Sequence, residues 1–530
     1  MSVRNGIALL LALCALTFLI ACGGGSSPRA VAPPSGGFNS SNLNGTYVFS
    51  TAGVDIGNSG NFFTTIVGSF TAQNGTISAG TLDLVSADPS ILVNTGVQIT
   101  SSTYTITPDG RGQTTLNTAI GTIGLDFVLT SSTHGLVTEF DANGTGSGTI
   151  DAVPNAVAQT ALTALSFSLS GSGGGPSYSS SVTVGSVSLN ATGGVTAGIQ
   201  DSQATTSQTI GTQSFITVGT GTTPGTAQLI TTGTYKFDVY AIDSTHLKLI
   251  ETDGLFFTSG DAYTPAASIP SGTLAFTMSG FDTGSFPLAV GGLLPSDSTG
   301  TITAGLEDYN DGGTVNQATT VGGNFAPLSG GRSVLTLNNF VNGATNDVPG
   351  TYMFAAYPFT SNGGTGILLL EIDTVGVTAG AAFLQSATSL AASQGYGLNL
   401  SAVNLGNGTG PFEEDDIAEF STTSSGFTGI VDFNDEGTLS FDQKLSGTYT
   451  LASNGRGTAT TTNAFGYDFY VVDDSTSLIL ETDPGQFGTG QIGTGVFELQ
   501  SAPGASAAAA RSAVSAFHPV PQPRSLSRRK

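Results

Sequence analysis

Short segments in which apolar and polar residues alternate fill most of the 530-residue chain. The first series has apolar or β-branched runs at 45–51, 62–72, 76–85, 100–107, 113–119, 123–130, 135–141 and 146–151. Tight-turn dipeptides such as Asn74-Gly75 and Asp109-Gly110 separate several of these runs, and both residues of such a turn must accept a positive φ. The repeated part of the chain shows no sustained 3.6-residue period. The pattern therefore predicts an all-β protein.

The same series of strands occurs four times, because three polar positions recur in one order. They are an aspartate (Asp83, Asp201, Asp308 and Asp432), an arginine (Arg111, Arg332 and Arg456) and a glutamate (Glu139, Glu251, Glu371 and Glu481). The second unit lacks the arginine and has Pro224-Gly225-Thr226 in its place. Glutamates that recur about every 110 to 120 residues indicate four tandem units of one fold.

The length of the connections predicts how the strands are arranged within a unit. Strands joined by only a few residues are antiparallel neighbours, and this gives a meander. About eight meandering strands can close on themselves and so remove their edges. We therefore expect a small up-and-down barrel or clam in each unit, with a two-sheet sandwich as the alternative. The predicted modules are 43–152, 161–265, 271–386 and 394–501, separated like beads on a string by Pro- and Ala-rich joints.

The first 21 residues have the pattern of a secretory signal. Arg4 precedes an apolar run of 14 residues, Ile7 to Ile20, which is shorter than the roughly 20 residues that a membrane span needs. The run ends in Leu19-Ile20-Ala21-Cys22, which resembles the lipobox of bacterial lipoproteins. The alternative is an ordinary cleaved signal that happens to contain a cysteine.

The resemblance to lipoproteins implies a location at a membrane. It implies cleavage before Cys22, a diacylglycerol thioether on its sulfur, and a fatty acyl chain such as palmitate on the new amino group. Two or three acyl chains hold a protein on a bilayer, so the lipid bilayer is the expected partner. The residue after the cysteine is Gly23, and in this the sequence is similar to lipoproteins that are sent to the outer membrane. Residues 22–42 would be a flexible tether, and the basic tail 502–530 is predicted to be disordered.

Composition and charge exclude several classes of function. The chain has 37 acidic and 13 basic residues, for a net charge of −24, and every acidic residue lies between Asp55 and Glu498. Such an acidic body repels phosphate backbones, which argues against nucleic acid as a partner. Cys14 would leave with the signal and Cys22 would be acylated, so no disulfide is expected. Three histidines are too few for a His-rich metal site.

The recurring polar residues suggest structural roles. In a meander the glutamate and the arginine of one unit lie at opposite ends of the strands, on the order of 20 Å apart. We therefore interpret the glutamate as satisfying backbone or hydroxyl groups near a rim, and the arginine as packing beside a turn. His134 and His246 lie five residues before their glutamates, where the other units have Gly366 and Thr476, and are interpreted as turn residues.

The remaining motifs do not predict a metal-binding or catalytic site. Residues 308–312 and 432–437 resemble calcium loops, but Gln443 stands where a bidentate Glu is required. The acidic run 413–416 is predicted to be a solvated loop. Neither H-E-x-x-H nor G-x-S-x-G occurs, and the G-x-G-x-x-G at 488–493 leads into a predicted strand instead of a helix. We therefore expect no metal, no cofactor, no catalytic residue and no enzymatic activity.

Two function classes remain open. The first is a membrane-anchored, extracytoplasmic lipoprotein whose repeated β-modules have a structural, spacer or adhesion-like role toward a surface polymer, glycan or protein. The second is a barrel protein that binds a glycan or a small apolar molecule, and a secreted-type hydrolase is less favoured than either. The barrel interior distinguishes them, because an aromatic-lined cavity favours ligand binding and a solid interior counts against it.

Overall fold

The structure is a computed structural model. It describes residues 37–57, 60–173, 179–203, 205–341, 349–361, 364–391, 394–404, 412–483 and 490–501. The signal, Cys22, most of the tether and the basic tail lie outside these ranges. The described residues all belong to one compact unit, Val31–Lys530. No helix within them is long and apolar enough to cross a membrane.

The first two units each contribute nine strands in the described residues. The first unit has β1 (Gly45–Gly57), β2 (Gly60–Gln73), β3 (Thr76–Ser86), β4 (Val93–Ile99), β5 (Ser102–Ile106), β6 (Arg111–Thr118), β7 (Gly121–Leu129), β8 (His134–Phe140) and β9 (Gly144–Ala152). The second has β10 (Ala164–Gly173), β11 (Ser180–Leu189), β12 (Val195–Ser202), β13 (Thr205–Thr209), β14 (Phe215–Ile216), β15 (Gly225–Ile230), β16 (Thr234–Ala241), β17 (His246–Glu251) and β18 (Phe256–Pro265).

The last two units each contribute eight strands in the described residues. The third has β19 (Gly272–Phe281), β20 (Pro287–Ser296), β21 (Thr301–Asp311), β22 (Thr314–Pro327), β23 (Ser333–Phe340), β24 (Gly350–Ser361), β25 (Gly364–Glu371) and β26 (Val377–Leu384). The fourth has β27 (Gly395–Asn404), β28 (Phe412–Thr422), β29 (Gly426–Asp435), β30 (Thr438–Leu451), β31 (Arg456–Thr461), β32 (Gly466–Val471), β33 (Thr476–Glu481) and β34 (Gln491–Leu499).

Each unit closes into an antiparallel barrel. Strands follow one another as a meander, and the first strand of each unit pairs with its last: β1 with β9, β10 with β18, β19 with β26, and β27 with β34. The predicted all-β fold of four antiparallel barrels is therefore confirmed. Closure removes the sheet edges that the two-sheet alternative would leave open.

A repeated aromatic-glycine pair fills the first three barrels. In each, an inward Phe of the first strand lies directly opposite a Gly of the second: Phe49–Gly68, Phe167–Gly185 and Phe276–Gly292. A Cβ at the glycine would lie 2.7, 2.6 and 2.9 Å from the respective ring, so only glycine leaves room for it. All three rings are buried in the apolar cluster of their own barrel. The pair is a compact way of filling a small barrel.

The barrels pack against one another, and the expectation of beads on a string is wrong. The opening strands of each barrel contact the closing strands of the next: β2 meets β17 and β18, β11 meets β24 and β25, and β20 meets β33 and β34. In the same way, β27 and β28 of the fourth barrel meet β7, β8 and β9 of the first. The four barrels therefore form a closed ring in which each has two neighbours.

The closing strands explain why the barrels associate. All six residues of β17 and all six of β33 are buried. Side chains alternate between the two faces of a strand, so Ile479 packs inside the fourth barrel while Leu478 and Leu480 pack in the cluster between barrels. A strand that is apolar on both faces must be covered on both faces. A neighbouring barrel supplies the second cover.

Candidate functional site

The recurring arginines and aspartates meet across the boundaries between barrels. Arg332 of the third barrel donates from Nε and Nη2 to Asp201 of the second, at 2.6 and 2.8 Å. Arg456 of the fourth barrel donates in the same way to Asp308 of the third, at 2.7 Å for both bonds. Both aspartates are completely buried. Such two-pronged pairs fix geometry as well as charge.

The ring closes through the same positions. Arg111 of the first barrel lies 3.4 Å from Asp432 of the fourth, and it also binds Asp442 at 2.8 Å and Asp109 at 3.3 Å. At the boundary without an arginine, Asp83 of the first barrel accepts hydrogen bonds from Tyr240 of the second and from the Gly96 amide. Each recurring aspartate is therefore held by a residue of another barrel.

A tyrosine supports three of the four aspartates. Tyr240 holds Asp83, while the Tyr357 hydroxyl lies 2.5 Å from Asp201 and the Tyr470 hydroxyl 2.7 Å from Asp308. Tyr470 lies directly opposite Arg456 in the strand register, and the matching position opposite Arg111 is Val128. The four boundaries thus use an arginine, a tyrosine or both.

The calcium-like segments belong to these boundaries. Two residues after the recurring aspartate, Asn310 donates to the backbone oxygens of Glu481 and Gln491 of the fourth barrel, at 3.1 and 3.0 Å. Asn434 donates in the same way to the oxygens of Glu139 and Gly144 of the first barrel, at 3.2 and 2.8 Å. The aspartate and asparagine of each segment are therefore engaged in protein contacts. No group of three or more His, Cys, Asp or Glu in the described ranges is placed to hold a metal ion.

The recurring glutamates lie at or near the end of the second-last strand of each barrel. Thr258 donates to Glu251 at 2.6 Å, and the amide and hydroxyl of Thr378 donate to Glu371 at 3.0 and 3.1 Å. Burial raises the pKa of Glu251 to about 8, and burial together with the nearby Asp373 raises the pKa of Glu371 to about 9. These carboxyls are protonated at neutral pH.

The aspartate two residues after each glutamate accepts a hydrogen bond from the strand before. Asp141, Asp253, Asp373 and Asp483 each accept a hydrogen bond from an amide within the first four residues of the preceding strand. The donors are Gly124, Lys236, Met353 and Gly466, respectively. The motif therefore ties the second-last strand to the strand before it, and this role recurs in all four barrels.

His134 is a buried charged residue and not the turn residue that the sequence indicated. Its Nδ1 lies 2.7 Å from Asp151 in its own barrel, and its Nε2 lies 2.9 Å from Glu498 of the fourth. Burial alone would lower the pKa of His134, but the Glu498 and Asp151 carboxylates raise it to about 10. His246 is likewise buried, 2.6 Å from Asp261.

The acidic run 413–416 is part of strand β28, so the prediction of a solvated loop is wrong. Asp415 points to the first barrel, where it accepts hydrogen bonds from Thr145 and Ser147 at 2.7 and 2.6 Å. Glu414 and Asp416 alternate with it and point into the fourth barrel. One strand therefore supplies acids both to the ring contact and to the barrel interior.

The fourth barrel contains a cavity of about 760 Å³. At the position of the aromatic-glycine pair it has Leu398 opposite Ala418, and both line the cavity. Three residues after the recurring arginine, the third barrel has Leu335 in its core and the fourth has Ala459 in the cavity wall. Ala459 is smaller than Leu335, and the Leu398 side chain extends less far across the barrel than a Phe ring that lies over a glycine.

The cavity is apolar at one end and acidic at the other. Phe420, Phe469 and Phe497 line the apolar end, and Tyr396 stacks on Phe420 behind them with ring centroids 5.5 Å apart. The acidic end lies where β28 and β34 begin and where β29 ends. It is lined by Glu414, Asp416, Asp435, Tyr467 and Gln491.

The acids at this end perturb one another. The pKa of Glu414 is raised to about 7, chiefly by burial and next by the charge of Asp435. Burial, followed by the Glu414 charge, raises the pKa of Asp416 well above its ordinary value. Glu481 is completely buried beside them, and its pKa is raised by burial and by Asp483, Asp416 and Glu414. Neither oxygen of Glu481 has a hydrogen-bond partner among the described residues.

Sequence reasoning therefore identified the recurring residues but not what they contact. A meander places the arginine and the glutamate of one unit far apart. The arginine instead binds the aspartate of another unit. The signal was present in the fixed order of the three positions in successive units. For the cavity, the signal was the loss of the Phe and Gly pair from the fourth unit only. Of the segment 488–493, Gly488 and Thr489 lie outside the described residues, and Gln491 begins strand β34.

Comparisons with known proteins place the chain in no family. No protein-family model matches it, and no curated protein matches it. Among solved structures, it aligns with a double mutant of the vaccine antigen Transferrin Binding Protein B (TbpB) from Haemophilus parasuis Hp5. The alignment has 10% sequence identity and a TM-score of 0.18, and it covers 69% of this chain and 83% of that one. A function for this chain therefore rests on its own contacts and cavity.

Proposed function

We propose that the chain is a non-enzymatic, lipid-anchored binding protein whose fourth barrel takes a small molecule with an apolar body. The observation that carries this proposal is the cavity of about 760 Å³ in that barrel. Its size lies within the roughly 300–1,000 Å³ of small-molecule sites, which are mostly apolar with a few polar groups. Phenylalanine side chains supply the apolar wall, and acids supply the polar end.

The other three barrels act as a scaffold in this proposal. Their inward Phe rings occupy the place that the cavity has in the fourth barrel. Buried ion pairs hold the barrels in a ring, so the cavity wall is supported from outside. Asp415, for example, lies on the same strand as the cavity residue Asp416 and is held by the first barrel. A rigid wall reduces the ordering cost of binding.

The anchor in this proposal is Cys22. Its support is the sequence alone, since the lipobox-like Leu19-Ile20-Ala21-Cys22 follows a short apolar run. Acyl chains on Cys22 would hold the ring at a membrane surface outside the cytoplasm, and the outer membrane is favoured by Gly23. The segment 22–42 would set its distance from the bilayer.

Titration with the neutral fluorescent probe N-phenyl-1-naphthylamine tests the proposal. The mature protein should enhance and blue-shift the probe's emission with saturable, one-site behaviour. The double variant Leu398→Phe/Ala418→Gly restores the aromatic-glycine pair of the other barrels and so places a ring across the middle of the cavity. It should weaken probe binding by about tenfold or more and leave the thermal midpoint unchanged or higher.

The matched control is Leu328→Phe, which places the same new ring at an exposed leucine of the third barrel. It should bind the probe like the wild type. The proposal fails if the wild-type protein does not bind the probe. It also fails if the folded Leu398→Phe/Ala418→Gly variant binds it as well as the wild type does.

A further inference from the structure

The acidic end of the cavity faces the apolar wall without a matching positive charge. Glu414 lies directly opposite Asp435 in the strand register, and Asp416 is two residues along the same face. Like charges placed opposite each other on neighbouring strands destabilise a sheet. From this arrangement we infer that the ligand is an amphipathic organic cation, with an ammonium group at the acidic end and an apolar body along the phenylalanines. The inference rests on the proposed binding function and names its ligand class.

Lys444, a basic residue that lines the cavity, is badly placed to neutralise these acids. It is exposed and lies opposite Ile430, which is five residues from Asp435 along β29. Five residues of strand span about 16 Å. The ammonium of a ligand can instead reach the acidic end directly.

Glu481 is an independent sign that a donor is missing. On β33 it lies two residues from Ile479, which lines the cavity, and directly opposite Tyr467 of β32, which lines it too. Glu481 is therefore on the face of the sheet that is turned to the cavity. It is completely buried, and both of its oxygens lack a partner among the described residues. A buried polar group without a hydrogen bond costs about 1–3 kcal/mol in proteins. An ammonium ion carries several donors and no acceptor, so it matches a group of carboxylates.

The cavity has room for a long apolar body. Asp435 and Phe427 both line it and are eight residues apart on β29, about 26 Å along the strand. Strand tilt in a small barrel shortens this to about 20 Å along the barrel axis. At the far end, Leu390 of the connecting segment lines the cavity and packs against the barrel core.

The titratable and charged groups around the ammonium site come from five strands and their ends. They are Glu414 and Asp416 on β28, Asp435 on β29, Tyr467 on β32, Glu481 with Asp483 at the end of β33 and, farther along the cavity wall, Lys444 on β30. Burial, and after it the repulsion between neighbouring acids, raises the pKa values of Glu414 and Asp416, which favours their protonated forms when no cation is bound. A bound cation favours their ionised forms, and its binding is therefore coupled to proton release.

The test is displacement of N-phenyl-1-naphthylamine from the mature protein by three molecules of one chain length: decylammonium, decanol and decanoate. Decylammonium should displace the probe at a concentration about tenfold lower than decanol does, and decanoate should be the weakest. The variant Glu414→Gln/Asp416→Asn should lose this preference for the amine and keep its affinity for decanol. Glu436→Gln removes a neighbouring acid that does not line the cavity, and it should retain the preference.

Calorimetry near pH 7 gives a second measurement that does not depend on any variant. Binding of decylammonium should release protons, seen as a binding enthalpy that depends on the ionisation enthalpy of the buffer. The inference is overturned if the amine, alcohol and acid displace the probe equally, although the proposed binding function then stands. It is also overturned if CaCl₂ alone displaces the probe, because the site then takes a metal ion. Absence of probe binding by the wild type overturns the proposed function itself.

Discussion

Arg456, at the start of β31 in the fourth barrel, donates two hydrogen bonds of 2.7 Å to the carboxylate of Asp308 in the third barrel. Arg332 and Asp201 repeat this relationship between the third and second barrels. The two residues of each pair are copies of one repeated motif, yet they belong to different units. The motif is therefore a connector between barrels, and its order along the chain sets the order of the ring.

Removing one member of this connector should destabilise the whole ring. Arg456→Ala leaves Asp308 buried without its cationic partner, and breaking a buried ion pair in this way costs about 3–5 kcal/mol. The urea midpoint of unfolding should fall clearly for Arg456→Ala and for Asp308→Ala. The double variant should lose less than the sum of the two single variants.

The matched control for this series is Lys236→Ala, which removes an exposed basic side chain of the second barrel. Its midpoint should stay near that of the wild type, because surface substitutions change the stability by about 0.5 kcal/mol or less. Strict additivity of the Arg456 and Asp308 effects would contradict a direct pair.

The ring should tolerate a change in chain order. Phe38 donates its amide to the Pro108 oxygen at 3.0 Å, and Gln500 donates its side-chain amide to the Asp109 oxygen at 2.7 Å, so the two ends of the described chain meet at one turn. A circular permutant of 37–501, joined by a short Gly/Ser linker and opened between the exposed Ala267 and Ser268, should fold with a thermal midpoint close to the wild type.

A permutant opened between Leu369 and Leu370 provides the contrast, because both residues are completely buried in β25. It should be insoluble or much less stable. If the first permutant unfolded at the same low temperature as the second, the contact between the fourth and first barrels would not hold the ring closed.

Stability should fall as the pH rises from about 5 to 9. Burial raises the pKa values of Glu251 and Glu371 from the ordinary 4.5 to about 8 and about 9. Their stabilising contribution is complete below the unfolded value and is lost as the pH rises through the folded values. The double variant Glu251→Gln/Glu371→Gln keeps both groups neutral and should show a flatter dependence of the thermal midpoint on pH.

Asp474→Asn, at an exposed aspartate of the fourth barrel, is the control for the pH series and should retain the wild-type slope. His134 acts in the same direction as the glutamates, since its raised pKa of about 10 stabilises the fold at lower pH. A thermal midpoint that rose between pH 5 and 9 would show that these carboxyls are ionised in the folded protein.

The proposed anchor predicts where the protein is found in a bacterial cell. The wild-type protein should fractionate with membranes and incorporate labelled palmitate, and Cys22→Ala should do neither, because the acyl chains supply the membrane affinity. Cys14→Ala changes only the signal and should leave both results unchanged. Equal membrane association of the wild type and Cys22→Ala would contradict the lipobox resemblance.

The strand pattern and the repeat determined the local architecture. Alternation of apolar and polar residues, with Asn-Gly and Asp-Gly turns, is a local property that specifies antiparallel strands and short hairpins. The fixed spacing of Glu139, Glu251, Glu371 and Glu481 specified four copies of one unit. A meander of about eight strands has edges that only closure removes, so the barrel also followed from the sequence.

Only the tertiary structure decided how the barrels meet and which of them is hollow. Arg456 and Asp308 are 148 positions apart, and no local rule connects residues so distant in the chain. The charge of the run 413–416 predicts a solvated loop, but Glu413, Glu414 and Asp415 are buried because one face of the strand meets the first barrel and the other lines the cavity. The cavity depends on small differences in side-chain size and reach, such as Ala459 for Leu335 and Leu398 for Phe, summed over a barrel wall. Such a sum is set by packing in three dimensions, and a hydrophobic pattern in the sequence does not contain it.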